Sequence, residues 1–179
     1  AVGGESVANG TAATAFGWQS NATGERAHAV GHLASAQGER SLAVGEAAQA
    51  QSAFSTAIGN QASATGVDAL ALGDNASATG NSTSAIGGES VATGPGASAF
   101  GWQAMATAER AQAFGHLATA QGVRSLAVGE NADAQTANST AIGNEAIANG
   151  IDALALGDTA LAQGNSTTAV GGESVATTP

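Results

Sequence analysis

The chain has 179 residues, of which 43% are hydrophobic, 10% charged and only 3% aromatic, with 26 glycines and no cysteine. Because much of the apolar fraction is alanine, the sequence offers too few bulky side chains for a conventional core. The net charge of −10, with only four basic side chains, argues against binding nucleic acid or an anionic membrane through a basic face, and the lack of cysteine excludes disulfides and thiol chemistry.

A glycine that closes an Ala-apolar pair recurs every 14 residues along the whole chain. These glycines define position 0 of each coil and are Gly3, Gly17, Gly31, Gly45, Gly59, Gly73, Gly87, Gly101, Gly115, Gly129, Gly143, Gly157 and Gly171. Residues 1–84 align with 85–168 without a gap, and 169–179 begin a third copy. We therefore expect a single repetitive segment over 1–179, taken from a longer array.

Most coils carry a second glycine at position 7, as at Gly10 and Gly24. Two glycines per coil predict two short segments joined by two turns, where a positive φ costs glycine nothing. Between the glycines the pattern has a period of two residues, which indicates β-strands and not amphipathic helices.

Four columns of small side chains predict a narrow interior. Positions 5 and 12 are alanine in every coil, and positions 3 and 10 are Ala, Ser or Thr throughout. We therefore expect an all-β parallel β-roll solenoid of 14-residue coils, whose interior accepts only methyl groups and hydroxyls.

The large apolar side chains at position 13 must then point out of the roll. They are Val2, Phe16, Val30, Val44, Ile58, Leu72, Ile86, Phe100, Phe114, Val128, Ile142, Leu156 and Val170, and they are accompanied at position 11 by Leu42, Leu70, Leu126, Leu154 and His28. An apolar row of this length does not stay exposed on a soluble monomer. The sequence therefore predicts a parallel homo-oligomer assembled around this row.

Several segments resemble a known head repeat: residues 138–143 (Asn-Ser-Thr-Ala-Ile-Gly), 55–59 (Ser-Thr-Ala-Ile-Gly), 125–129 (Ser-Leu-Ala-Val-Gly) and 68–73 (Asp-Ala-Leu-Ala-Leu-Gly). They are similar to the Ser-Val-Ala-Ile-Gly repeat in the head of trimeric autotransporter adhesins, the YadA-like family, and the resemblance covers the whole chain. It implies a left-handed roll, a homotrimer and display at the surface of a Gram-negative bacterium. It also implies host matrix proteins or cell-surface glycans as ligands.

The same resemblance implies a heptad stalk and a C-terminal outer-membrane barrel for anchoring, and neither lies within these residues. We therefore expect the end at Pro179 to be a boundary inside a longer protein.

Two tryptophans and two histidines are the candidate ligand contacts. Trp18 and Trp102 follow position-0 glycines, and His32 and His116 occupy the same turn one coil later. Exposed tryptophan is enriched at binding hot spots. The alternative is that each tryptophan covers the apolar rim of a neighbouring chain.

The remaining charged side chains have structural interpretations. The arginines at position 9, three of which follow a glutamate, predict ion pairs between the turns of adjacent coils or chains; they are Arg26, Arg40, Arg110 and Arg124. His28 is expected in a hydrogen-bonded layer at the oligomer axis, with a metal-binding or pH-sensitive layer as the alternative. The acidic turn residues stand alone in the sequence, unlike the ligands of calcium-binding rolls.

We expect no enzymatic activity, no cofactor and no metal, because the sequence holds no nucleophile elbow, HExxH motif or P-loop. A single-chain ice-binding β-solenoid is an alternative function, although the outward pairs at positions 4 and 6, such as Met105 with Thr107, make an irregular threonine lattice. A structural spacer within a longer adhesin is a further alternative. The unbroken apolar column argues against a disordered Gly/Ala-rich linker.

Overall fold

The computed structural model describes residues 1–177, so Thr178 and Pro179, the end of the partial third repeat, lie outside the described residues. The chain divides into two units, Ala1–Glu89 and Ser90–Pro179. In each unit, every complete coil contributes a two-residue strand at positions 4 and 5 and a three-residue strand at positions 11 to 13. The strand pattern that alternation indicated is therefore confirmed.

In unit 1, two-residue and three-residue strands alternate along the chain and form separate sheets. The short-strand sheet contains β1 (Val7–Ala8), β3 (Asn21–Ala22), β5 (Ser35–Ala36), β7 (Gln49–Ala50), β9 (Ser63–Ala64) and β11 (Ser77–Ala78). The long-strand sheet contains β2 (Thr14–Phe16), β4 (His28–Val30), β6 (Leu42–Val44), β8 (Thr56–Ile58), β10 (Leu70–Leu72) and β12 (Ser84–Ile86).

Unit 2 repeats this arrangement. Its short strands are β13 (Val91–Ala92), β15 (Met105–Ala106), β17 (Thr119–Ala120), β19 (Asp133–Ala134), β21 (Ile147–Ala148), β23 (Leu161–Ala162) and β25 (Val175–Ala176). Its long strands are β14 (Ser98–Phe100), β16 (Gln112–Phe114), β18 (Leu126–Val128), β20 (Thr140–Ile142), β22 (Leu154–Leu156) and β24 (Thr168–Val170).

Strand pairing within each unit is parallel and joins every residue to the residue 14 places later. Ala57 pairs with Ala71, and Ala71 pairs with Ala85. Each column of the repeat therefore becomes a straight row of identical environments, which is why one residue type is kept at a given position over many coils. A parallel β-solenoid of 14-residue coils is confirmed, and its left-handed winding stays a prediction.

The interior of each unit is built from the four small-residue columns, as the sequence predicted. Apart from the terminal coils, the alanines of positions 5 and 12 are buried, and Ala71 is 0% exposed. Buried hydroxyls reach the carbonyls of the second turn: Ser41 Oγ donates to the Gly38 oxygen at 2.7 Å, and Thr83 Oγ1 donates to the Gly80 oxygen at 2.7 Å. The core therefore holds methyl groups and hydroxyls, of which those of Ser41 and Thr83 are hydrogen-bonded and that of Ser125 has no partner among the described residues.

Each coil turns twice, at positions 0 to 2 (the first turn) and at positions 7 to 9 (the second turn). The first-turn glycines have positive φ, 133° at Gly17, as the sequence predicted. The left-handed region is occupied at the last position of each turn, by a non-glycine residue everywhere except Gly96, with φ of 52° at Gln19 and 56° at Arg26. Hydrogen bonds between coils hold them there: the Arg26 N–H donates to the Thr11 oxygen at 2.8 Å.

The expectation of positive φ at the position-7 glycines is wrong. Gly24 is not in that region, but a Cβ placed on it would lie within 3.0 Å of the Gly38 carbonyl one coil later. Glycine is favoured there because the turns of adjacent coils approach closely. Where Thr136 replaces this glycine, its hydroxyl donates to the Gly150 carbonyl oxygen at 2.6 Å.

The narrow interior predicts a strong difference between inward and outward leucine. Ala71→Leu adds three carbons where no space exists, and we expect the free energy of unfolding to fall by about 1–3 kcal/mol. Ser77→Leu is the matched control, since position 4 points outward and already carries leucine at Leu161. Urea unfolding followed by far-UV circular dichroism measures both variants, and equal destabilisation would contradict the assignment of the interior.

Candidate functional site

The position-13 side chains, here called the apolar stripe, lie on the outer surface of the long-strand sheet in each unit. Because position 12 points inward, position 13 points outward, and its side chains are half-buried or exposed: Phe16 is 56% exposed and Leu72 39%. In unit 2, the Phe100 and Phe114 rings stack with centroids 5.1 Å apart. The predicted outward direction of these side chains is confirmed, whereas their role in an interface between chains stays a prediction.

The position-11 side chains run beside the apolar stripe. In unit 1, exposed His28 lies between Thr14 and half-buried Leu42 in the paired strands. In unit 2, Gln112 takes the equivalent place and its amide donates to the Gly96 carbonyl oxygen at 3.3 Å. His28 therefore shares the face of the apolar stripe, as predicted, and a layer at an oligomer axis remains untested.

The first turn carries a row of stacked side chains, here called the Trp–His–Glu ladder. Trp18 stacks on His32 with ring centroids 4.9 Å apart, and His32 Nδ1 lies 3.4 Å from Glu46 Oε1. The three residues occupy position 1 of successive coils, so the period of the solenoid superimposes their side chains. Hydrogen bonds between turns fix this spacing: the Leu33 N–H donates to the Trp18 oxygen at 3.0 Å.

Unit 2 contains a second copy of the ladder. Trp102 stacks on His116 with centroids 5.1 Å apart, and His116 Nδ1 lies 3.2 Å from Glu130 Oε1. The structure therefore brings together each predicted pair of candidate ligand contacts. Trp102 keeps 48% of its surface exposed, and the ring that covers it belongs to its own chain.

Sequence reasoning missed the acidic members of these rows. Glu46 stands alone in the sequence, yet it is the partner of His32, and the Asn60 amide donates to Asp74 Oδ1 at 2.9 Å. These partners are 14 residues apart in sequence. Reading position 1 as a single column would have revealed them, because residues one period apart lie side by side in a solenoid.

The arginines of the second turn differ from the sequence-based expectation. The sequence predicts ion pairs between adjacent coils, but Arg26 pairs with Glu25 at 3.8 Å and Arg110 with Glu109 at 3.7 Å, within one turn. The reason is that both consecutive turn residues project into solvent. The coil-to-coil contact of Arg40 is with the Phe54 ring, 5.6 Å from its centroid. These exposed pairs contribute little to stability, and ion pairs between chains stay a prediction.

A family model described as the YadA head domain repeat (2 copies) matches the chain over residues 1–20, 8–34, 22–45, 36–62, 64–90, 92–118, 120–146 and 148–174. The chain belongs to this family. The resemblance inferred from the Ala-apolar-Gly repeats is thereby confirmed, and this YadA-like head is an adhesin β-roll built from repeats. A comparison with curated proteins gives no match.

The YadA head family comprises non-enzymatic, surface-exposed adhesin domains of bacteria. Within residues 1–177 of this YadA-like head, no group of three or more His, Cys, Asp or Glu side chains is arranged to hold a metal ion. Over the same residues, no helix is long and apolar enough to cross a membrane.

The stacking in the ladder predicts that the histidines shield the tryptophans. In His32→Ala with His116→Ala, we expect tryptophan emission at longer wavelength and easier quenching by acrylamide, with a loss of less than about 1 kcal/mol in unfolding free energy. The chain has two tryptophans and no tyrosine, so the fluorescence reports only the two copies of the ladder. His28→Ala, on another face, is the control and should change neither the emission wavelength nor the quenching by acrylamide. Unchanged quenching in the double variant would contradict the stacked geometry.

Proposed function

We propose that this YadA-like head is the adhesive head of a bacterial trimeric autotransporter and that it works as a parallel homotrimer. Its role is to hold repeated binding surfaces away from the outer membrane and to attach the cell to host extracellular-matrix proteins or cell-surface receptors. The observation that carries the proposal is the apolar stripe, because the alanine-filled interior leaves its side chains no place within the chain.

The exposure of the apolar stripe supports an assembly of chains. Val30 is 37% exposed and Leu156 39%, and the inward-facing alanine that precedes each of them prevents either side chain from turning into the roll. Burial of a large apolar side chain contributes about 1.5–3 kcal/mol. A shared axis buries every member of the row at once, and the family, whose members form trimers, supports three chains around it.

Repetition supports an adhesive function. The Trp–His–Glu ladder occurs once in each unit, and a trimer displays every copy three times. Linked copies of a weak contact raise the overall affinity by orders of magnitude without any strong individual site. This suits a chain whose surface is formed by shallow turns.

An ice-binding solenoid is not favoured. The outward positions of the short strands would have to form a flat lattice of threonine, but unit 2 places Met105, Ile147 and Leu161 there. These side chains interrupt any regular array of hydroxyls.

The adhesive function is tested by binding of the purified, assembled chain to surfaces coated with collagen, fibronectin or laminin, with serum albumin as the control surface. We expect saturable, slowly dissociating binding to at least one of the three, because several copies must release together. A folded assembly that binds none of them, nor cultured host cells, would contradict the adhesive function and leave a spacer role within a longer adhesin.

A further inference from the structure

One face of the Trp18 indole ring is covered and the other is open. His32 stacks on the covered face. On the opposite side lies Gly4, which has no side chain: a Cβ built there would stand 3.0 Å from Trp18 Cδ1 and 3.5 Å from Trp18 Nε1. Trp18 consequently keeps 49% of its surface exposed. The ladder thus ends in the Trp18 indole ring, here called the platform, whose orientation is fixed by the His32 ring stacked on its covered face.

Polar groups of complementary kinds occupy the next position of the same two turns. The Gln19 amide, in the same turn as Trp18, donates to Glu5 Oε2 at 2.6 Å, and Glu5 follows Gly4 directly. This bond leaves the carboxylate with further acceptor positions and the amide with an acceptor oxygen and a second N–H. Within residues 1–177, the Trp18 indole N–H has no hydrogen-bond partner, so a donor also lies at the ring edge.

We propose that Trp18, Glu5 and Gln19 form a subsite for an uncharged pyranose sugar at the end of a host glycan. This inference rests on the proposed adhesive function and names a ligand class for it. A pyranose has a flat face of C–H groups that packs on an aromatic ring, and its hydroxyls both donate and accept. The carboxylate, the amide and the indole N–H satisfy those hydroxyls at the rim.

Charge selects against acidic sugars at this subsite. Glu5 is bonded to Gln19, the residue after Trp18, Glu46 lies two coils along the same ladder, and the chain carries a net charge of −10. A sialic acid or a sulfated sugar would approach this field with like charge and without a nearby arginine, because the arginines are confined to position 9 of the second turn. Galactose-terminated glycans are therefore expected to bind and their sialylated forms to be rejected.

The test uses the assembled chain with Trp102→Ala, in which Trp18 is the only fluorophore because the chain has no tyrosine. Titration with the free glycans released from asialofetuin, which end in galactose, is compared with the free glycans released from fetuin, which end in sialic acid; neither set contains tryptophan or tyrosine. We expect a saturable change in Trp18 emission with the asialofetuin glycans, competition by free galactose, and binding of the fetuin glycans weaker by at least about tenfold.

Gly4→Asn covers the open ring face and leaves Trp18 in place. Position 1 already carries asparagine at Asn60, and a small shift of the exposed Trp18 side chain relieves the 3.0 Å approach of the new Cβ to Trp18 Cδ1. We expect affinity for the asialofetuin glycans to fall by at least about tenfold. Gly172→Asn is the matched control: it is the same change at position 1 of the last coil, where a Cβ meets only the Asp158 carbonyl oxygen at 3.8 Å. Far-UV circular dichroism checks that both variants keep the β fold.

Three results would overturn the proposed subsite: no change in Trp18 emission with the asialofetuin glycans, equally tight binding of the fetuin glycans, or unchanged affinity for the asialofetuin glycans in Gly4→Asn. Burial of Trp18 against a neighbouring chain, seen as resistance to acrylamide in the assembly, would do the same. The adhesive function is tested separately, by binding of the assembled chain to matrix-coated surfaces. Binding to matrix proteins without a response to the asialofetuin glycans would rule out only the sugar subsite. A response to these glycans without binding to matrix proteins would support the subsite and contradict attachment to matrix proteins.

Discussion

The width of the roll is the constraint on which the rest of the structure depends. Two sheets of very short strands face each other across a space that admits alanine methyls and small hydroxyls, and Ala71 and Ala155 are 0% exposed there. Nothing larger fits without moving the backbone. All larger apolar side chains are therefore placed outside, and those at position 13 form a continuous row within each unit. The proposed assembly between chains follows from this core, and in it the row that cannot be buried within one chain forms the axis of the head.

The 14-residue period has a second consequence at the turns. Because parallel pairing superimposes equivalent positions, a turn residue is packed against its counterpart one coil away, as Trp18 is against His32. Turns in ordinary domains are mobile and lack such neighbours. Here they are held by hydrogen bonds from turn to turn, such as that from the Ala47 N–H to the His32 oxygen at 2.8 Å. Side chains on them are pre-oriented for binding without a pocket, which lowers the entropic cost of each weak contact.

Most of the fold was predictable because the repeat reports each position many times. Alanine at position 12 in every coil fixed the inward direction of Ala71, and with it the outward direction of Leu72. The sequence was less informative where glycine is required at two positions for different physical reasons. Gly17 takes a positive φ and Gly24 avoids a backbone collision, and both appear simply as glycine. Partners one period apart, such as Gln19 with Glu5, were missed because they are distant along the chain and adjacent only after coiling.

We propose the apolar stripe as an interface between chains, and its most direct test is the solution mass by light scattering on a size-exclusion column, with circular dichroism of the same peak. We expect a β-rich species of three times the 16.9 kDa chain mass. We also expect Ile58→Asp, on the stripe, to disrupt the trimer and Thr79→Asp, on the opposite face, to leave it intact. A folded, β-rich species of 16.9 kDa, soluble with its stripe exposed, would contradict the proposed interface.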